Sequence, residues 1–110
     1  WMIAPVIDLT MGTQPYLEFE SADGYDNGAT MKLLVSTDYD GSATPWNFTW
    51  TEKNYNLPAS TSYGYSQFAS SGEIDLSAYT GGQVWIAWVY DGDSNRTTTW
   101  EVDNILVAEK

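Results

Sequence analysis

The sequence predicts an all-β fold, an antiparallel β-sandwich of about seven strands, on three observations. No segment keeps a 3.6-residue apolar period over three turns, so no helix is expected. Short runs rich in aromatic and β-branched residues alternate apolar with polar positions, the period of two that a half-buried strand requires. Turn clusters such as Asp23-Gly24, Asn27-Gly28 and Ser77–Gly82 separate these runs at roughly ten-residue spacing.

Each element follows from that pattern. Met2 to Ile7 reads as a first strand, with Pro5 placing it near an edge or bend. From Tyr16 to Ser21, Leu17 and Phe19 face inward while Glu18 and Glu20 face outward. Met31, Leu33 and Val35 share one face of the next strand. After the loop 38–45, Trp46, Phe48 and Trp50 share a face of a further strand. Short segments Phe68–Ser71 and Glu73–Leu76 flank Gly72. Gln83–Tyr90 is apolar on both faces, as expected of a central strand covered on both sides or of one whose outer face binds something. Phe19, Trp50, Phe68, Trp88 and Trp100 are the aromatics expected in the core. Consecutive strands joined by long loops suit a jelly-roll-type topology.

The last strand, "TTTWEVDNILVAEK", breaks its own rule. Trp100 and Val102 share one face, and Glu101 and Asp103 the other. Strict alternation then puts Ile105 and Val107 on the acidic face. Either a bulge at Asp103-Asn104 resets the register, or Asp103 points toward the core and needs a partner there.

Composition narrows function. The chain has 110 residues, enough for one domain, and a net charge of −11 from fifteen acids and four bases. That balance disfavours nucleic acid and anionic membrane surfaces as partners, and suits neutral ligands such as sugars or divalent cations. No histidine and no cysteine are present, which removes the commonest general base, thiolate chemistry and disulfides. No apolar run reaches the length of a membrane span, so direct membrane insertion is not expected. The opening Trp1–Ile7 reads as mid-strand, and the expectation is a single module over residues 1–110 trimmed at its N-terminus.

Four segments in order resemble a known family. "WMIAPVIDLT", "MKLLVSTDYDG", "SSGEIDLSAYTGGQVWIAWVYDGD" and "TTTWEVDNILV" resemble the strand and loop motifs of the choice-of-anchor J and cleaved-adhesin type domains. The resemblance implies a jelly-roll sandwich akin to MAM-like and carbohydrate-binding modules, found in secreted, periplasmic or cell-surface proteins of Bacteroidetes-like bacteria. It also implies a structural Ca2+, with Asp103 at the first position of the family's closing acidic pair. Asn104 stands where the family often has a second aspartate.

Sugar rings stack their C–H faces on Trp and Tyr while their hydroxyls bond to polar side chains. The candidate ligand-binding aromatics are therefore those in loops or on an outer sheet face: Tyr25, Tyr39, Trp46, Tyr55, Tyr63, Tyr65 and Trp85. The plain alternative for each is packing onto the ends of the sandwich. Asp91–Asn95 and Asp38–Ser42 echo a calcium-binding loop but lack its turn glycine, and read as turns. Glu18 and Glu20 form a solvated strand face and not a catalytic pair. The expectation is a non-catalytic adhesion or accessory module whose partner is a polysaccharide or glycan. Its alternative is a structural spacer, or a domain that contacts another surface protein without a small ligand.

Overall fold

A computed structural model describes residues 1–110. It is all-β, with no α-helix and nine strands in two antiparallel sheets: β1 (Met2–Ile3), β2 (Ile7–Asp8), β3 (Pro15–Gly24), β4 (Thr30–Ser36), β5 (Thr51–Lys53), β6 (Ala69–Ser70), β7 (Ile74–Asp75), β8 (Gln83–Asp91) and β9 (Thr99–Glu109). The first sheet runs β1-β8-β4-β5, with β2 beside β1 along β8. In the second, β3 is flanked by β6 and β7 on one side and by β9 on the other. Most connections cross from one sheet to the other, the jelly-roll habit that the sequence predicts.

The core lies between the sheets. Leu17 and Phe19 of β3 meet Met31, Leu33 and Val35 of β4 and Val84, Ile86 and Trp88 of β8. All are inward positions by the alternation of their strands, and Leu17, Phe19, Leu33 and Val84 are wholly buried. Phe19 meets Trp88 edge-to-face at 5.3 Å, the geometry that the ring quadrupole favours.

Three expectations need correction. Pro5 does not merely bend the first strand. It splits it into β1 and β2, each pairing with a different part of β8. Trp46, Phe48 and Trp50 do not share a strand face. Pro45 opens a 3-10 turn over Pro45–Asn47, a position where its missing N–H costs nothing, and the strand begins only at Thr51. Phe68, expected in the core, is 45% exposed because its strand shrinks to Ala69–Ser70. The two segments around Gly72 both pair with β3.

The register question in β9 resolves as a bulge. Asp103 pairs with Glu20 and Leu106 with Glu18, so Asn104 and Ile105 together lie opposite Phe19 alone. Asn104 absorbs the extra residue with φ +52°, a left-handed conformation that Asn tolerates better than most residues. Trp100, Val102, Ile105 and Val107 therefore all lie on the core side, while Asp103 points outward.

Candidate functional site

The outer face of the first sheet, which bears Trp85, is covered. The loop leaving β4 folds back over it: Tyr39 packs edge-on against Trp85 at 4.8 Å and Phe48 at 5.4 Å, and at a tilt against Trp50 at 5.4 Å. Ser36 Oγ holds the loop by accepting from the amides of Asp38 and Tyr39. The Trp50 indole donates to the Pro45 carbonyl at 2.8 Å, and the Tyr39 hydroxyl donates to the Ser42 carbonyl. Tyr39 is thus buried and Trp85 half-buried, as parts of a second, smaller core. Trp46, at 63% exposure, stands at the edge of this cluster without an aromatic partner.

At one end of the sandwich the sheets part around a 460 Å³ cleft. Its walls come from the end of β3 (Asp23), from β4 (Met31, Leu33), from β5 and the segment after it (Lys53, Tyr55), and from Trp100 of β9. Tyr55 packs on Phe19 at 5.2 Å, and its hydroxyl donates to the Met31 carbonyl at 2.7 Å. Burial, with the negative charge of Asp23 adding to it, pushes the Tyr55 phenol up to about 12. Trp100 Nε1 donates to the Ala29 carbonyl at 3.1 Å. Both rings are therefore fixed by a hydrogen bond at one end and by packing at the other.

Asp23 is the feature that sequence reasoning missed. Asp23-Gly24 reads as a turn, yet β3 runs on through Gly24 and the alternation begun at Leu17 carries Asp23 inward. Counting that period two residues past Ser21 is the signal that finds it. Gly24 stays extended; its missing side chain admits the Tyr65 ring, which a Cβ would approach to 2.4 Å. Asp23 is wholly buried. One carboxylate oxygen accepts from the Ser60 hydroxyl, and Oδ1 has no partner.

No base compensates Asp23. Of the four basic residues, Lys32 and Arg96 pair with Asp91, Arg96 also with Asp93, and Lys110 with Glu73. The fourth, Lys53, lies over the Tyr79 ring at 5.1 Å. A buried carboxylate with a spare acceptor is costly unless something donates to it, and Oδ1 is closed off from the cleft that Asp23 borders.

The chain beside the cleft is strained. Tyr25, between Asp23 and Asp26, has φ +49°, a conformation that bulky residues avoid. Backbone bonds from Tyr25 to Gly64 and from Asp26 to Thr61 hold it against the loop 60–66. Tyr25 and Tyr65, 57% and 54% exposed, meet at 5.5 Å with ring planes 80° apart. They form a corner and not a flat platform; Tyr63 is more exposed still. Of the sequence-predicted aromatics, the structure places Tyr55 in the cleft, Tyr25 and Tyr65 in the corner, and Tyr39, Trp46 and Trp85 on the far outer face.

Asp103 points outward, its Oδ1 accepts from the Asn104 amide at 2.8 Å, and no group of three or more acidic side chains converges around it. Asp91–Arg96 folds as a turn closed by the Arg96 pairs with Asp91 and Asp93. No protein-family model matches the chain, and no curated protein is significantly similar to it.

Proposed function

We propose that this chain is a non-catalytic, glycan-binding accessory or adhesion module of a secreted or cell-surface protein, with the cleft around Asp23 as its ligand site. The observation that carries this reading is an open cleft whose aromatic side chains, Tyr55 and Trp100, are locked in place. Sugar hydroxyls suit the polar side chains of its lining, Asp26, Glu52 and Asn54. Sugar ring faces suit aromatic walls, and a neutral ligand meets no penalty at a surface of net charge −11. Preformed rings keep the ordering cost of binding low. The strained Tyr25 and its partner Tyr65 extend the apolar surface beside the site.

Affinity gel electrophoresis against a panel of soluble polysaccharides tests this. Retardation of the wild-type chain is expected with at least one member. Asn54→Ala, which removes an exposed polar group from the cleft lining, is expected to weaken it up to about tenfold, the loss of a hydrogen bond. Trp46→Ala, on the far face, leaves it unchanged. A chain retarded by no polysaccharide ends this reading in favour of a spacer.

A further inference from the structure

We propose that residues 59–67 form a flap on the cleft, latched shut by Asp23, and that lifting it bares the buried Asp23 carboxylate to the ligand. The gate presupposes that the cleft is the glycan site. It adds to that site a carboxylate that the closed form hides.

The chain between β5 and β6, residues 54–68, holds no strand or helix. Connections longer than about 12 residues without structure of their own are uncommon and serve mostly as lids or binding loops. The first part of this one is anchored. The Tyr55 hydroxyl bonds to Met31, the Asn56 amide donates to the Ser71 carbonyl at 2.9 Å, and Pro58 is buried. Beyond Pro58 the anchoring changes. None of residues 59–67 is buried, and Ser60 lines the cleft.

Their hydrogen bonds to the rest of the chain all land on three residues of one short stretch. The Ser60 hydroxyl donates to Asp23 Oδ2, the Asp26 amide donates to the Thr61 carbonyl, and the Tyr25 amide donates to the Gly64 carbonyl. Asp23 completes the set with Ser66: its amide donates to Ser66 Oγ at 3.0 Å, and its carbonyl accepts from the Ser66 amide at 2.7 Å. The Tyr65 ring, over Gly24 and beside Tyr25, adds packing at the same spot. A segment with little burial and convergent fastenings opens as one unit.

The closed position is costly at that spot. Asp23 Oδ1 is shut away without a donor. Tyr25 holds φ +49°, where an L side chain is crowded. Such strain persists only where the surroundings enforce it, and here the enforcing bonds are the flap's own. Lifting the flap relieves both costs together. The Tyr25 backbone relaxes, and the freed carboxylate accepts from sugar hydroxyls in the cleft. A ligand that binds this open form better shifts the population toward it by its differential affinity.

Amide hydrogen exchange of the free chain reads the gate without any ligand. The amides of Asp23, Tyr25, Asp26 and Ser66 are expected to share one opening constant, larger than those of Asn56 and Leu76, whose acceptors lie outside the flap. Ser60→Ala, at an exposed site, strips Oδ2 of its donor and is expected to raise that constant about tenfold while leaving Asn56 and Leu76 unchanged. Tyr25→Gly is expected to open less than Tyr25→Ala, because both lose the ring and only glycine sits at φ +49° without strain. Four unrelated constants, or constants no larger than those of Asn56 and Leu76, overturn the flap. An unaltered Ser60→Ala chain overturns the latch, and equal opening of the two Tyr25 variants overturns the stored strain. A polysaccharide that retards the chain is expected to speed exchange of the four amides; slower or unchanged exchange in its presence overturns the gate. Should no polysaccharide retard the chain, the glycan reading falls, and exchange in the free chain still decides whether the flap opens.

Discussion

β3 and β9 lie side by side in one sheet and both turn apolar side chains toward the core, yet they are buried to different degrees. The inward Leu17 and Phe19 of β3 are inaccessible to solvent, whereas Trp100, Val102 and Val107 of β9 are only partly covered and Ile105 is half exposed. Their neighbours account for the difference. β3 has strands on both sides and a full opposing sheet, and β9 has one neighbour and an open flank. Alternation therefore reports which way a side chain points, and lateral pairing decides how far it is desolvated.

The largest test of that contrast is a matched pair of truncations. Phe19→Ala is expected to cost about 3 to 5 kcal/mol, since it empties a closed site between Trp88 and Tyr55. Ile105→Ala is expected to cost about 1 kcal/mol, because much of its side chain already meets water. Urea unfolding with unchanged slope measures both. Equal costs mean that the flank is closed in solution.

A smaller effect probes the bulge. Asn104→Val forces a β-branched residue to φ +52° and is expected to cost about 1 to 2 kcal/mol, while Asn104→Gly stays close to wild type. Should Val be tolerated, the register of β9 is not held there.

Tyr55 sharpens the comparison at the cleft. Its phenol titrates higher folded than unfolded, so its contribution is intact below its ordinary value of 10 and is lost as pH rises toward about 12. Tyr55→Phe is expected to remove that alkaline decline and to cost about 1 kcal/mol at neutral pH through the lost bond to Met31. Thermal melts across alkaline pH check it.

The smallest effect is acidic. Hydrogen bonds from Thr10, Ser36 and Ser77 hold the carboxyls of Asp8, Asp38 and Asp75 below their ordinary 3.8. Their contribution is present above that value and fades as pH falls through the lower folded values. Asp75→Asn is expected to lessen, slightly, the loss of melting temperature below pH 4.

Most of the framework was legible because alternation is a local signal. It placed Leu17, Phe19, Met31, Leu33, Val35 and the inward residues of β8 on their correct faces, and the irregularity at Asp103-Asn104 narrowed β9 to two registers. What failed was contextual. Trp46, Phe48 and Trp50 obey strand parity, but Pro45 turns the chain and the rings pack around Tyr39 on a face that no local pattern identifies. The cleft around Asp23 draws walls from β3, β4, β5 and β9, and is assembled only by the folding of distant segments. Its key carboxylate hid inside a turn-like dipeptide because Gly24 serves ring contact rather than chain reversal.

Asn104 has one more consequence. Were that single residue excised, Ile105 would inherit its parity, and the same four hydrocarbon side chains would still face inward on a straight, uninterrupted ribbon. The insertion is thus not needed to sort the faces. What it contributes is a kink and extra coiling in an otherwise adhesive border, which hinders flat stacking of one molecule on the next. A shortened chain should fold alike and yet be quicker to form fibrous aggregates.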